Sequence, residues 1–215
     1  MAHDILVRVT HTPVDDAVMD ALAEEWGNEL RTAKRQLVAA QGVGSDLSPC
    51  VAGYDRAGLE LCRFGPNYRG RTTEGSDQIV AAIALASSWQ PALMVVFSEG
   101  YTRSGGTEIP ERGVLAQQFA AGDQSVAEAL SLTMLDISGK GRLQMQPYRY
   151  NGRRVVWLDY KQERIGGDDV LAGRIANACM RAMSELTPEP ERLLFVALLH
   201  NSGWHVEVPA QSERN

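Results

Sequence analysis

A basic, glycine-containing loop is the first segment whose residues could bind a ligand. Its sequence, RFGPNYRGRTTEG, contains Arg63, Arg69 and Arg71 together with Tyr68, and it precedes a helix predicted to begin near Ser76. Such a loop can hold a phosphate, because backbone N–H groups at a helix N-terminus and arginine side chains both attract anions. The lysine–serine/threonine pair of a P-loop is absent from this segment. We predict a candidate anion site here, with a solvated loop as the alternative.

A second candidate lies at the polar end of the apolar segment ALMVVFSEGYTR. Strand alternation places Glu99 and Tyr101 on the face that also carries Phe97. A carboxylate in line with apolar side chains must be paired or solvated. Glu99, with Arg103 nearby, is therefore a candidate site, and Tyr101 and Arg103 are candidate binding residues. A structural ion pair is the alternative.

The segment QPYRYNGRR combines arginines and tyrosines. Arg149, Arg153 and Arg154, together with Tyr148 and Tyr150, could contact a nucleic-acid backbone and stack on bases. Adjacent strand positions point to opposite faces, so only part of this set can act together. A solvated strand edge that resists aggregation is the alternative.

The sequence contains no G-x-S-x-G motif and no catalytic-cysteine signature. His200 and His205 could face each other across a hairpin and share a metal, but no acidic or thiol ligand accompanies them. The cysteines, Cys50, Cys62 and Cys179, have no metal-binding spacing and are predicted to be reduced. These residues therefore predict no metal site.

Asp159 and Lys161 form a D-x-K tripeptide that closes a predicted strand, and a helix and a further strand are predicted to follow. This order of elements resembles the core of the PD-(D/E)xK nucleases. The resemblance implies that acidic groups hold Mg²⁺ or Mn²⁺ and that the lysine orients the attacking water. The family's first aspartate has no counterpart between residues 143 and 150, so Asp136 or Glu99 would have to replace it.

Two further motifs are the triplet EGY at residues 99–101 and the triplet EAL at residues 128–130. With the strand and the glycine turn around them, they are similar to a group of uncharacterised bacterial and bacteriophage proteins, over roughly Leu93 to Asp159. Gly100 and Tyr101 replace the alanine and tryptophan typical of that group. The resemblance implies an α+β fold and a small cytoplasmic protein of bacterial or phage origin, with no established activity.

The elements that position these residues centre on a predicted three-stranded meander between Ser131 and Lys161. Its turns contain Gly139-Lys140-Gly141 and Asn151-Gly152, which favour tight hairpins. Pro147 cannot donate to a ladder, so its strand is predicted to be bulged or at an edge there. The other predictions are helices at 13–40 (with Thr12 as N-cap), 76–89, 114–121, 125–130 and 168–186, a hairpin at 47–64, and strands at 4–9, 92–103, 193–199 and 204–208.

Composition places the chain among ordinary globular proteins. It has 215 residues, 44% of them hydrophobic and 22% charged, with a net charge of -6. We expect one domain over residues 1–208 and a frayed tail over residues 209–215. The negative charge disfavours a general affinity for polyanions. No apolar run is long enough to span a bilayer and no signal-peptide pattern is present, so a cytoplasmic protein is expected.

We therefore expect a single α+β domain, with a mixed, largely antiparallel sheet and about three main helices packed on it. Because no catalytic set converges in the sequence, the favoured function is a non-catalytic interaction or accessory protein, with a protein partner or self-association and no cofactor. The first alternative is a metal-dependent nuclease that uses Asp159 and Lys161 with Mg²⁺ or Mn²⁺. The second is binding of nucleic acid or a phosphate ligand by the arginine–tyrosine segments. An exposed apolar patch or a stable homodimer would favour the interaction function.

Overall fold

The fold is an α+β arrangement around a single sheet, as the sequence predicts. A computed structural model describes residues 12–66, 76–103, 114–165 and 174–206. The helices in these ranges are α1 (Asp16–Gln41), α2 (Ser76–Ala86), α3 (Val114–Ala120), α4 (Arg174–Ser184) and α5 (Glu189–Asn201). The strands are β1 (Cys50–Tyr54), β2 (Glu60–Pro66), β3 (Leu93–Arg103), β4 (Val126–Asp136), β5 (Gly141–Asn151), β6 (Arg154–Trp157), β7 (Lys161–Ile165) and β8 (Trp204–His205).

The eight strands form one sheet in the order β6-β5-β4-β3-β1-β2-β8, with β7 paired to β5. Every pairing among the described strands is antiparallel. The longest ladder joins β3 to β4 over eleven residue pairs, from Leu93 opposite Asp136 to Arg103 opposite Val126. These two strands are therefore the centre of the molecule, and the candidate residues on β3 belong to it.

Helices cover the two faces of the sheet unequally. Alternation along β3 sends Val95 and Phe97 into a core shared with α1, and sends Met94 and Val96 into a second core shared with α2, α4 and α5. We call the first side the α1 face and the second side the three-helix face. The polar residues that follow Phe97 at odd positions, Glu99 among them, consequently belong to the α1 face.

Helix α1 begins three residues later than the predicted cap at Thr12. Its N-cap is Asp15, whose side chain accepts a hydrogen bond from the backbone N of Ala17 at 2.7 Å. Leu22, Trp26 and Leu30, which recur at helical spacing, are buried. The buried side of α1 also contains Met19, Ala23, Lys34 and Val38.

Residues 125–130, predicted as a short helix, are instead the beginning of β4 apart from Ser125. Glu128, Ala129 and Leu130 have helical preferences, which predicted the wrong element. In the fold, Glu128 lies opposite Tyr101 on one side and opposite Tyr148 on the other. Because β4 pairs with β3 on one edge and with β5 on the other, these tertiary contacts override the weak local preference for a helix.

The predicted strand at 193–199 is also wrong, because these residues lie in α5. The sequence LLFVALL is apolar without interruption, and such a run does not distinguish a buried strand from a helix. The signals that favour the helix come before the run: Pro188 is the N-cap, and Glu189 and Glu191 lie in the first turn near the positive end of the helix dipole.

β6 and β7 lie along the same edge of β5 and are separated by a bulge. Trp157 pairs with Tyr148 and Lys161 with Met145, so three residues on one strand oppose two on the other. The backbone N of Leu158 donates to the carbonyl of Pro147 at 2.9 Å. Pro147, which offers no N–H to the ladder, thus lies opposite the irregular segment.

Gly141 is predicted to be a position that tolerates no side chain. A Cβ built there would lie 2.2 Å from the carbonyl oxygen of Met134 on β4, whereas one at Gly100 on β3 would meet no atom within 4 Å. Because the backbone of two paired strands would have to separate, we expect Gly141→Ala to lower the free energy of unfolding by roughly 1–3 kcal/mol. Gly100→Ala should change it by less than about 0.5 kcal/mol. Urea denaturation measures both, and equal effects would contradict the register of β4 with β5.

Candidate functional site

The carboxylate of Glu99 lies at the centre of a buried polar group on the α1 face. The side chain is 5% exposed and forms an ion pair with Lys34, which is 0% exposed. Oε1 of Glu99 accepts hydrogen bonds from Lys34 Nζ and from the Tyr148 hydroxyl, and Oε2 accepts one from the backbone N of Leu47 at 2.6 Å. The partner of Glu99 is therefore Lys34 and not Arg103, which donates to Gln118 instead.

Lys34 is held as a cation. Its Nζ donates to the carbonyl of Ser45 at 2.6 Å and lies 4.8 Å from the centre of the Tyr148 ring. Burial lowers the pKa of Lys34, but the hydrogen bond and the charge of Glu99 outweigh this effect, so the pKa is raised. A lysine that acts as a nucleophile needs a lowered pKa. The environment of Lys34 thus favours a structural role over covalent catalysis.

Glu128 is a second carboxylate on this face, beside the ion pair. It is 7% exposed, and neither its Oε2 nor the Tyr150 hydroxyl has a hydrogen-bond partner among the described residues. Burial raises the pKa of Glu128, and the charge of Lys34 opposes that shift. We call Lys34, Glu99, Glu128, Tyr148 and Tyr150 the Lys34–Glu99 cluster. The cluster contains one ion pair, Lys34–Glu99, and one carboxyl group, Glu128, whose raised pKa favours its neutral form.

The carboxylate of Asp136, a predicted substitute metal ligand, is hydrogen-bonded to the β4–β5 turn. It is fully buried, and its Oδ1 accepts from the backbone N of Ser138 at 2.8 Å, from the Ser138 hydroxyl at 2.7 Å and from the backbone N of Lys140 at 3.0 Å. Its Oδ2 accepts from the backbone N of Val14 at 2.9 Å. This carboxylate closes the β4–β5 turn and anchors the segment before α1.

The structure does not bring the predicted nuclease residues together. Along the β3–β4 ladder Asp136 lies six residue pairs from the Glu99 pair, or about 20 Å. Asp159 and Lys161 are exposed at the bulge on the far edge of β5, three strand spacings or about 14 Å from Glu99. In the described ranges, no group of three or more His, Cys, Asp or Glu residues could hold a metal ion.

Of the four candidate binding residues in the predicted anion loop, only Arg63 lies within the described part of the chain. Its guanidinium forms ion pairs with Glu60 at 2.7 Å and with Glu29 at 3.2 Å, and it lies 4.3 Å from the centre of the Trp26 ring. Arg63 therefore joins β2 to α1. Tyr68, Arg69 and Arg71 lie outside the described residues, so the anion site stays a prediction.

The remaining candidate binding residues are spread over separate surfaces. Tyr101 packs against Phe119 of α3, with ring centres 5.2 Å apart. Arg149 donates to the side chain of Gln124 at 2.7 Å and to its carbonyl, on the opposite face of β5 from Tyr148. Arg153 is exposed in the β5–β6 turn. The arginines and tyrosines of this segment do not form one surface.

The expected hairpin that would bring His200 and His205 together does not exist, because residues 189–201 form α5. His200 lies in the last turn of that helix, with Nε2 3.3 Å from the carbonyl of Val206. His205 lies on β8, opposite Gly65. The ring nitrogen of His200 is thus engaged by the backbone just beyond β8.

The cysteines are free thiols, as their spacing predicts. Burial raises the pKa of Cys50, Cys62 and Cys179 to about 12 in each case. The thiolate is the nucleophilic form, and a raised pKa makes it scarce at neutral pH. None of these thiols has the environment of a catalytic cysteine.

An exposed apolar surface that the sequence analysis did not identify lies on α5. Leu193, Leu194 and Leu198 are 65%, 69% and 39% exposed, and Leu199 on the opposite side is fully buried. We call Pro190, Leu193, Leu194, Ala197 and Leu198, all of them exposed, the α5 outer face. The signal in the sequence is the run LLFVALL, in which two helical turns contain no polar residue on any side.

No family model, curated protein or solved structure matches this chain. None of the helices within the described ranges has the length and apolar character that a membrane span requires.

We expect the Lys34–Glu99 pair to be strongly coupled in stability. Glu99→Gln leaves a buried ammonium without its charge partner, and Lys34→Met leaves a buried carboxylate, so each should lower the free energy of unfolding by about 3–5 kcal/mol. The double variant removes both charges and should lose much less than the sum. Chemical denaturation of the four proteins gives the coupling energy, and additive losses would show that the pair is not coupled.

We also expect Glu128 to make stability depend on pH. Its pKa in the folded chain lies above the ordinary value of 4.5, so the folded state holds the proton more tightly than the unfolded state. Stability should therefore fall as the pH rises from about 4.5 through the raised pKa. Glu128→Gln should remove this loss and raise the melting temperature at pH 8 relative to the parent. Glu25→Gln, at an exposed position on α1, is the matched control. An unchanged pH profile in Glu128→Gln would contradict the assignment.

Proposed function

We propose that this protein is a non-catalytic interaction protein that self-associates through the α5 outer face. The observation that supports this proposal is the middle of α5, residues 193–199, which is apolar on all sides. One side of this segment packs against α2 and β8, while the other side is exposed. A helix of this kind is normally buried all round. Contiguous apolar patches on monomers are small, and larger ones mark interaction sites.

A second copy of the chain is the occupant that the residue pattern favours. The α5 outer face is nearly symmetric about the midpoint between residues 195 and 196. A two-fold axis there would place Leu193 against Leu198 of the other copy, and Leu194 against Ala197. Pairing a large residue with a small one lets antiparallel helices approach closely, and one self-complementary patch satisfies both subunits. The helix dipoles would also oppose each other favourably.

The polar residues support a role without catalysis. The carboxylates of Glu99 and Asp136 are already held by cationic or backbone donors, and the described thiols have raised pKa values. A catalytic group has to be within reach of substrate and in the right protonation state. The groups named here instead fasten α1 and the turns to the sheet.

Sedimentation equilibrium tests the association. We expect the parent protein to show a concentration-dependent dimer, and Leu194→Glu to shift it to monomer by at least tenfold in dissociation constant, because a charge would be buried at the interface. Leu59→Glu is the matched control, since Leu59 is 65% exposed on the β1–β2 hairpin. A parent protein that stays monomeric at all concentrations, or a dimer that survives Leu194→Glu, would overturn the proposal.

Cysteine pairing tests the antiparallel geometry. The double variant Leu194→Cys/Ala197→Cys should form an intermolecular disulfide under mild oxidation, because the two-fold axis brings residue 194 of one copy to residue 197 of the other. Each single variant should form much less. Equal cross-linking by the single variants would contradict this register while leaving the dimer itself in place.

The nuclease alternative has its own test. Purified protein is incubated with labelled DNA and RNA in Mn²⁺ and in EDTA, with Asp159→Ala alongside. We expect intact nucleic acid in all samples. Metal-dependent cleavage that disappears in Asp159→Ala would show that the protein is an enzyme. Retarded but uncut nucleic acid would instead favour binding by the arginine–tyrosine segments.

A further inference from the structure

Strand β5 carries an unusual run of polar residues on the α1 face, which is otherwise packed with apolar side chains. Its inward positions are Arg142, Gln144, Gln146, Tyr148 and Tyr150, and the first four are at most 9% exposed. Buried polar side chains without partners destabilise a fold, so they are informative where they occur. We call these five residues the β5 polar ladder.

Both ends of the ladder have structural partners. Arg142 donates to Asp16 at 2.7 Å and to Asp20 at 2.9 Å, which fastens β5 to the first turns of α1. At the other end, Tyr148 donates to Glu99 within the Lys34–Glu99 cluster. These contacts account for the polar character of the ends but not for the two glutamines between them.

The two glutamines are held differently. Nε2 of Gln146 donates to the carbonyl of Leu158 at 2.8 Å and to that of Pro147 at 3.2 Å, so the bulge fixes the orientation of its amide. Its Oε1 accepts no hydrogen bond from any described residue. Gln144 is 5% exposed. An amide side chain has two donors and an acceptor, which can bind a ligand or water.

Both amides line a groove of about 480 Å³ between α1 and β5. Gly27 of α1 contributes no side chain there, and the floor is extended by Leu130 and Leu132 next to Gln144. The rim carries Arg31, Glu24 and the Tyr160 ring, which is 42% exposed. A groove of this size, with a few oriented polar groups and one aromatic ring, has the properties of a small-molecule site.

We propose that this groove binds a neutral saccharide. Sugar hydroxyls both donate and accept, which matches the two amides, the Arg31 guanidinium and the Glu24 carboxylate. The exposed ring of Tyr160 offers an apolar surface for the C–H face of a pyranose. Asp20 and Glu24 on the rim disfavour a phosphate, so a nucleotide fits the groove less well. Water would occupy the same amides in the free protein.

The groove lies on the α1 face, whereas α5 packs on the three-helix face. The saccharide site therefore uses no residue of the α5 outer face, and the two proposals fail independently.

Saturation-transfer NMR and calorimetry test the site with glucose, galactose, N-acetylglucosamine, maltose, cellobiose and lactose, and with adenosine and AMP as the counter-set. We expect at least one saccharide to bind with a dissociation constant below about 1 mM. Gln144→Leu should weaken that binding at least tenfold while leaving the melting temperature unchanged or raised, because it replaces the amide by an apolar group of similar size. Gln36→Leu, at an exposed position on α1, is the matched control.

A second pair of variants tests whether the ring of Tyr160 contributes to binding. Tyr160→Ala should weaken binding at least fivefold, and Tyr160→Phe should retain it, since stacking needs the ring and not the hydroxyl. No saccharide binding up to about 10 mM would overturn the proposal. Preference for adenosine or AMP, or binding that Gln144→Leu leaves unchanged, would overturn it as well.

Discussion

The buried ion pair between Lys34 and Glu99 is the interaction on which the arrangement of the α1 face depends. Two charges removed from water are stable only when each also finds hydrogen-bond partners. Glu99 obtains them from Leu47 and Tyr148, and Lys34 from Ser45. The pair therefore ties together the last turns of α1, the connection to β1, the centre of the sheet and β5. A shift of any one of these segments would remove a partner from one of the two buried charges.

This pair also shows how far the sequence could predict the site. Glu99 was identifiable because strand alternation places it in line with apolar residues, where a carboxylate must be paired. Its partner was not, since Lys34 is 65 residues earlier and occupies a helical position that periodicity predicts to be apolar. The local sequence instead indicates Arg103, four residues away, as the partner of Glu99. Pairing across elements depends on the docking of α1 on β3, which no local pattern contains.

The secondary structure was predictable where local chemistry and tertiary context agree. Asn151-Gly152 lies at the β5–β6 turn, and Gly139 and Gly152 have φ values of 85° and 58°. The two segments assigned to the wrong kind of element, residues 125–130 and 193–199, are those where local chemistry and tertiary context disagree. Glu128 and its neighbours prefer a helix but pair on both edges as a strand. The segment LLFVALL has no polar side, so its hydrophobic pattern does not distinguish a helix from a strand.

The same property connects that second error to the proposed function. A helix is recognised in a sequence because its outer side is polar, and α5 has lost that side. A polar outer side is what keeps a helix in contact with water, so its loss is explained most directly by a surface that is covered in the working state. The β5 polar ladder is the opposite departure, with polar residues where packing favours apolar ones. Natural sequences depart from consistent patterning mainly at functional sites. These two departures, on opposite faces of one sheet, are therefore the positions at which function should be sought first.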